Sequence, residues 1–218
     1  TSNAENWMVY HIGSGIDGQL NLNSNAAAVD ESGQFNDTVP SSTVLTLGSN
    51  AEVNANGQTY VAYLFAHDTD ASSLIKCGSL TDGGAGINLG WEPQFVLIKR
   101  TDTDSASTTS GSRVSKGNWV IADTKRGMPV DDQVDGLSPN LADAEIHDDF
   151  YIRPTSTGFT YDSLSYDGNG DFIYMAIRAE NLPTITYDPN LQWSGGTAPT
   201  APAIGETDVI TFNTTDGG

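Results

Sequence analysis

Short apolar runs separated by turn-forming residues are the dominant pattern along this chain. Residues 60–66, 94–100 and 172–177 are rich in aromatic and β-branched side chains, and each run begins within three residues after a glycine or proline. Such short, bounded runs predict β-strands rather than helices. Because residues 60–66 and 172–177 are almost continuously apolar, we predict that both are central strands covered on two faces.

The same order of features occurs twice along the chain. A strand with a tryptophan, Trp7 in one copy and Trp119 in the other, leads through an asparagine-containing turn to an Asn-Gly step and an apolar run. The Asn-Gly steps at residues 56–57 and 169–170 supply the positive φ that tight hairpins need. We predict that each copy ends in a β-hairpin and that both tryptophans pack in the core. Chance convergence of hairpin composition is the alternative.

These elements predict an all-β fold, a jelly-roll-like β-sandwich with an internal two-fold duplication. The sandwich is expected to span residues 1–180, with its halves at about residues 6–66 and 118–179. Residues 181–218 are expected to form a linker and a short, partial C-terminal β extension. The small polar residues of 101–115 and the glycine-rich residues of 79–86 predict two exposed loops, and the longer loop is a natural place for recognition.

Charge and cysteine content narrow the classes of function. The 218 residues include 9 Lys and Arg against 28 Asp and Glu, a net charge of −19. Binding to nucleic acid or to an anionic membrane through a basic face is therefore excluded. The single cysteine, Cys77, has no partner for an internal disulfide, and no apolar run is long enough for membrane insertion. Both ends resemble cuts from a longer chain.

Motifs for catalysis are weak. The Gly13-Ser14-Gly15 sequence lacks the pattern of a nucleophile elbow, and Cys77 has no basic neighbour in sequence. Adjacent carboxylates such as Asp131 and Asp132 point to opposite faces of a strand and do not form a ready dyad. We predict that the protein is not an enzyme and has no catalytic residues.

One acidic loop is a candidate metal site. Asp167, Asn169 and Asp171 alternate oxygen-bearing side chains, as calcium loops do. The twelfth position of that loop is Arg178 rather than a bidentate glutamate, so an EF-hand is excluded. A plain hairpin turn is the favoured interpretation, and a weak Ca²⁺ site is the alternative; no other cofactor is predicted.

One tryptophan is a candidate for ligand binding. Trp91 lies beside Gly90 and before a Glu-Pro pair, so we expect its ring to reach the surface, where it would stack on a sugar. It is the aromatic residue that we select as a ligand-binding candidate.

Several of these motifs together resemble an uncharacterised β-rich domain of marine bacteriophage tail and tail-fibre proteins. They lie at residues 7–11, 20–23, 60–66, 90–100, 118–123, 126–127 and 174–177. Residues 193–200, 208–212 and 215–218 are similar to short modules that close phage tail-fibre chains. The resemblance implies an extracellular place on the virion exterior, no known enzyme activity, and self-association as a homotrimer.

The predicted function is therefore a non-enzymatic virion structural or host-recognition module of a phage tail fibre or tail appendage. Other virion proteins, and a host cell-surface glycan, are the partners that this setting implies. The alternatives are a lectin-like carbohydrate-binding module acting through Trp91, a capsid decoration or fibril protein, and, last, a glycan-degrading tailspike.

Overall fold

The computed structural model describes residues 5–70, 72–102, 113–128, 134–148, 151–162, 164 and 170–179. The chain divides into two compact units, Thr1–Ala179 and Glu180–Gly218, and every described residue belongs to the first. Within the described ranges the strands are β1 (Met8–His11), β2 (Gly15–Asn21), β3 (Ile75–Thr81), β4 (Ile87–Asn88), β5 (Pro93–Arg100), β6 (Val120–Asp123), β7 (Val134–Gly136), β8 (Ile146–Asp148), β9 (Tyr151–Thr155), β10 (Gly158–Asp162) and β11 (Asp171–Arg178). Two single-turn helices, α1 (Ser32–Phe35) and α2 (Ala51–Asn54), complete an all-β fold, as predicted.

Two antiparallel sheets pack face to face and form a sandwich. One has the strand order β3-β11-β5-β6, and the other has the order β4-β10-β9. Their inner faces share one apolar core, in which the ring of Phe159 meets the ring of Tyr174 edge-on at 5.4 Å. Alternating side chains from two sheets that interdigitate in this way are what holds a β-sandwich together.

Strand β11 is the centre of the larger sheet. It pairs along its length with β3 on one side and β5 on the other. Phe172 and Tyr174 point into the core between the sheets, whereas Ile173 points to the opposite face and packs with Leu20 and Trp119. The predictions of a central strand at residues 172–177 and of a core position for Trp119 are confirmed, and β5 confirms the strand at 94–100.

The hairpin β1–β2 covers the outer face of this sheet. Trp119 Nε1 donates a hydrogen bond to the backbone oxygen of Asn21 at 2.9 Å. At the other end of the hairpin, Gly13 lies so close to the sheet that a Cβ atom would be 2.5 Å from the backbone oxygen of Gly78. A glycine is needed at residue 13 because its lack of a Cβ allows this contact.

The predicted two-fold duplication is wrong. Residues 60–66 belong to no strand, whereas their expected counterpart is the central strand β11. The tryptophan strands also differ, because β1 pairs with β2 and β6 pairs with β5. Gly57 does have a φ of 76° in a turn, but no hairpin follows it. Local composition predicted the turn and the apolar run, but it did not determine which strand lies alongside.

The two predicted loops are only partly loops. Residues 79–81 belong to β3, and Val114 and Ser115, at the end of the longer predicted loop, are buried. Residues 103–112 of that loop lie outside the described residues. Among the described residues, no helix has the length and apolar character needed to cross a membrane.

Candidate binding surface

An apolar segment with no strand partner is the most unusual surface of the described part of the chain. We call residues 61–66 the strap. All of its residues are exposed: Val61 by 71%, Tyr63 by 70%, Leu64 by 76% and Phe65 by 52%. Single exposed apolar residues are ordinary, but a contiguous apolar segment of this kind indicates a contact surface.

The strap is fixed at both ends. Before it, the Tyr60 hydroxyl accepts a hydrogen bond from the amide of Ala55 and donates one to the backbone oxygen of Ala51, both at 2.7 Å. After it, the amide of Cys77 donates to Nδ1 of His67 at 3.1 Å. These contacts tie the strap to α2 and to the edge strand β3, so it is held across the surface rather than left as a free tail.

Trp7 extends the apolar surface of the strap. Its ring stacks on Tyr63, with 6.2 Å between centroids and 24° between planes, and the residue is 52% exposed. The prediction that Trp7 packs in the core is wrong. Its position immediately before β1 leaves it at the rim of the hairpin, where the exposed Tyr63 is its ring partner.

The structure corrects the expected surface position of Trp91. The residue is 3% exposed and belongs to the core between the two sheets, where its Nε1 donates to Ser73 Oγ at 3.3 Å. Gly90, with a φ of 77°, turns the chain immediately before it. The turn residues that suggested exposure lie beside a side chain that points inward, so Trp91 offers no ring face to a ligand.

The predicted calcium loop lies mostly outside the described residues. Asp167 and Asn169 fall there, and Asp171 is exposed at the start of β11, where its backbone oxygen accepts from the amide of Thr101 at 2.8 Å. Among the described residues, Asp171 does not belong to a group of side chains close enough to hold a metal ion.

The described residues do contain another acidic group. Exposed carboxylate oxygens of Asp17, Asp30 and Asp37 lie within 4.8 Å of one another. The isolated bridge between Gln19 in β2 and Val29 brings Asp17 and Asp30 to the same part of the surface, and Asp37 follows α1. The spacing of Asp17, Asp30 and Asp37 in the sequence matches no metal-binding motif, so sequence analysis missed this group. Carboxylate oxygens are the ligands that hard cations take, although exposed acidic groups also occur without an ion.

The environments of His11 and Cys77 disfavour a catalytic role for these two side chains. The amide of Gly13 donates to His11 Nδ1 at 2.9 Å, so the ring carries its proton on Nε2, which donates to the backbone oxygen of Tyr174 at 3.0 Å. Burial lowers the pKa of His11 to about 4, with His67 adding to the effect, and burial raises the pKa of the Cys77 thiol to about 11. At neutral pH these groups are a neutral imidazole and a thiol, not a nucleophile with its base.

The buried Lys99 holds two parts of the backbone together. Lys99 Nζ donates to the backbone oxygens of Ala26 at 2.8 Å, Arg100 at 2.6 Å and Asn25 at 3.4 Å. Burial lowers its pKa to about 7, against the opposing attraction of Asp102. With its donors directed at three carbonyls, the ammonium joins β5 to the segment after β2 and is closed to a substrate.

A shallow cavity of about 430 Å³ lies at the ends of β5 and β6 and includes Lys125 and Arg126 in its lining. Arg126 is held by ion pairs with Asp123 and, at 2.7 Å, with Glu145. The cavity lining has no cysteine, histidine or serine that would act as a nucleophile or base, so the strap remains the stronger candidate site.

Together these features define an all-β sandwich whose most distinctive surface, among the described residues, is an exposed apolar segment. The chain belongs to the family described as Domain of unknown function (DUF7483), whose model matches residues 1–181. Neither a curated protein nor a solved structure matches the chain.

Proposed function

We propose that this chain is a non-enzymatic structural or host-recognition module of a phage tail fibre or tail appendage, and that the strap is its contact surface. The bacteriophage setting and the place on the virion exterior come from the motif resemblance described above, which also implies a homotrimer. The mode of action comes from the strap, the single observation that carries the proposal.

The chemistry of the described residues supports a binding role. The Cys77 thiol stays protonated at neutral pH, His11 has both ring nitrogens occupied, and Lys99 is enclosed by carbonyls. A protein whose reactive groups are held in the scaffold, with Lys99 buried and His11 and Cys77 partly buried, and whose strap exposes apolar groups to water is suited to contact another surface.

Labelling intact particles tests the setting. A gold-conjugated antibody against residues 5–179 is expected to bind at the tail in electron micrographs of the phage that encodes the chain. Label spread over the capsid lattice would instead identify a decoration protein, and the absence of the chain from particles would contradict the proposal.

Incubation of the chain with host polysaccharide tests the non-enzymatic role. It should release no new reducing ends; their release would contradict that role.

A second candidate function is glycan binding, and the exposed pair Trp7 and Tyr63 is the observation that favours it. Aromatic faces of this kind stack on sugar rings, as the face of the buried Trp91 does not. Binding to a glycan array that is lost in Trp7→Ala and kept in Trp91→Phe would support it. Loss of binding on adding a chelator would implicate a cation as well.

A further inference from the structure

We propose that the strap is a self-association surface, in which the straps of two copies of this chain pair as antiparallel strands across a two-fold axis. This inference rests on the proposed function only in taking the strap as the contact surface, and it adds the partner and the form of the contact.

The backbone of the strap is the first observation. Within the described residues, no amide or carbonyl of residues 61–66 hydrogen-bonds to another backbone group. The nearest backbone bond runs from the amide of Asp68 to the oxygen of Ile75 at 3.4 Å, just beyond the strap. A β-prone segment with open donors and acceptors is a template for another strand, and strand addition satisfies both sets of groups.

The apolar area of the strap is the second observation. With about 150 to 250 Å² for a whole aromatic side chain, Tyr63, Phe65 and Trp7 together with Val61 and Leu64 expose on the order of 600 Å². That is at the upper end of the largest apolar patch on a typical monomer, about 300 to 600 Å². It approaches the roughly 800 Å² per partner of a standard protein interface, and the backbone of the paired strands supplies more.

The distribution of charge allows two copies of this acidic chain to meet at the strap. Two chains of net charge −19 repel each other over most of their surfaces. Between Glu52 and Asp68 the sequence has no acidic residue, lysine or arginine, so two straps meet without a like-charge contact. Added salt screens the remaining repulsion, so the pair should tighten as the salt concentration rises.

Symmetry also favours a second copy of the chain as the partner. In a two-fold contact the same surface serves on both subunits, so the strap needs no complementary groove elsewhere on the molecule. Side chains of a strand alternate between faces, and antiparallel pairing places the aromatic and aliphatic side chains of one strap beside those of the other.

Sedimentation of the whole chain over a range of concentrations tests the pairing. We expect a reversible dimer whose dissociation constant falls with added salt. Val61→Asp in the strap should raise that constant at least about tenfold. Val39→Asp is the matched control, because Val39 is 60% exposed, lies outside the strap and receives the same charge. Leu64→Pro should abolish the dimer and leave the protomer folded, since the amide of residue 64 has no backbone partner within the described part of the protomer.

Cross-linking identifies the surface independently. In a Cys77→Ser background, mild oxidation of Leu64→Cys should give a disulfide-linked dimer, and Val39→Cys should give none. A monomer at every concentration, or a dimer insensitive to both strap variants, would overturn the pairing. A three-copy mass would overturn it too, and would support the homotrimer that the motif resemblance implies. A failed particle label, in contrast, would overturn the phage setting and leave the dimer untouched.

Discussion

The strap and strand β11 are built from similar residues and lie in opposite environments. Both are short and rich in aromatic and aliphatic side chains; the strap has no charged residue, and β11 has one at each end. Phe172 in β11 is 1% exposed and has a paired strand on each side, whereas Phe65 in the strap is 52% exposed and has none among the described residues. A segment of apolar, β-prone residues can therefore pair as a strand. Whether its side chains are buried depends on whether other strands lie beside it.

The comparison also distinguishes two roles of an apolar segment, burial within the protomer and contact outside it. In β11, alternate side chains fill two cores, one between the sheets and one under the β1–β2 hairpin. That burial stabilises the protomer. The strap contributes little to the protomer and keeps its apolar surface for a contact outside it, so changes in the two segments should affect different equilibria.

Truncating one phenylalanine in each segment should give the largest difference. Phe172→Ala removes a fully buried ring and should lower the free energy of unfolding by about 3 to 5 kcal/mol. Phe65→Ala, the matched change in the strap, should alter it by less than about 0.5 kcal/mol. Urea unfolding at protein concentrations below the onset of dimerisation makes the comparison; equal losses would show that the strap packs in the protomer.

Acidification should weaken the contact between the β1–β2 hairpin and β11. The pKa of His11 is about 4 in the folded protein and about 6.5 in the unfolded chain, so the unfolded state binds the proton more tightly. The stability contribution is complete above about pH 6.5 and is lost as the pH falls towards 4. Between pH 7 and pH 4.5 the loss assigned to His11 should be about 2 to 3 kcal/mol.

Acidification changes other interactions of this acidic chain as well, so the His11 effect is measured as a difference between two proteins. His11→Gln keeps a donor for the Tyr174 oxygen and has no titrating ring. Its stability should fall less steeply over this pH interval than that of the wild-type protein. Parallel curves would show that His11 is not buried as a neutral group.

Residue 13, where the hairpin lies against β3, should not accept a residue larger than glycine. Gly13→Ala places a Cβ against the backbone of Gly78 and should destabilise the protomer by about 1 to 3 kcal/mol. Gly33→Ala is a control with more room, since the nearest atom to its Cβ would be 3.4 Å away. Similar stabilities for the two variants would mean that the hairpin does not rest on the sheet.

The stacked rings of Trp7 and Tyr63 should give the smallest effect. A double-mutant cycle with Trp7→Ala and Tyr63→Ala should report a coupling of about 0.5 to 1 kcal/mol in protomer stability. Coupling that appears only at concentrations where the dimer forms would place the ring pair in the interface instead of in the protomer.

The strands β5, β6 and β11 were predictable because each is apolar and bounded by turn residues. Strand β3 was missed because Gly78 and Lys76 interrupt it, yet Gly78 is needed where the Tyr174 hydroxyl lies 2.8 Å from the place of a Cβ. The strap was predicted as a strand because its β-prone composition is visible in the sequence. The sequence does not show whether another strand lies beside it. Trp91 was placed outside because a turn fixes the direction of the chain and not that of the side chain.

Hydrogen exchange of the strap amides, compared with those of β11, tests the central claim most directly. In dilute solution the amides of residues 61–66 should exchange as fast as those of an unstructured chain, and on concentrating the protein they should become protected. The β11 amides should be protected at both concentrations. Strap amides that are protected in dilute solution, or that stay unprotected in a sample shown to be dimeric, would contradict the account.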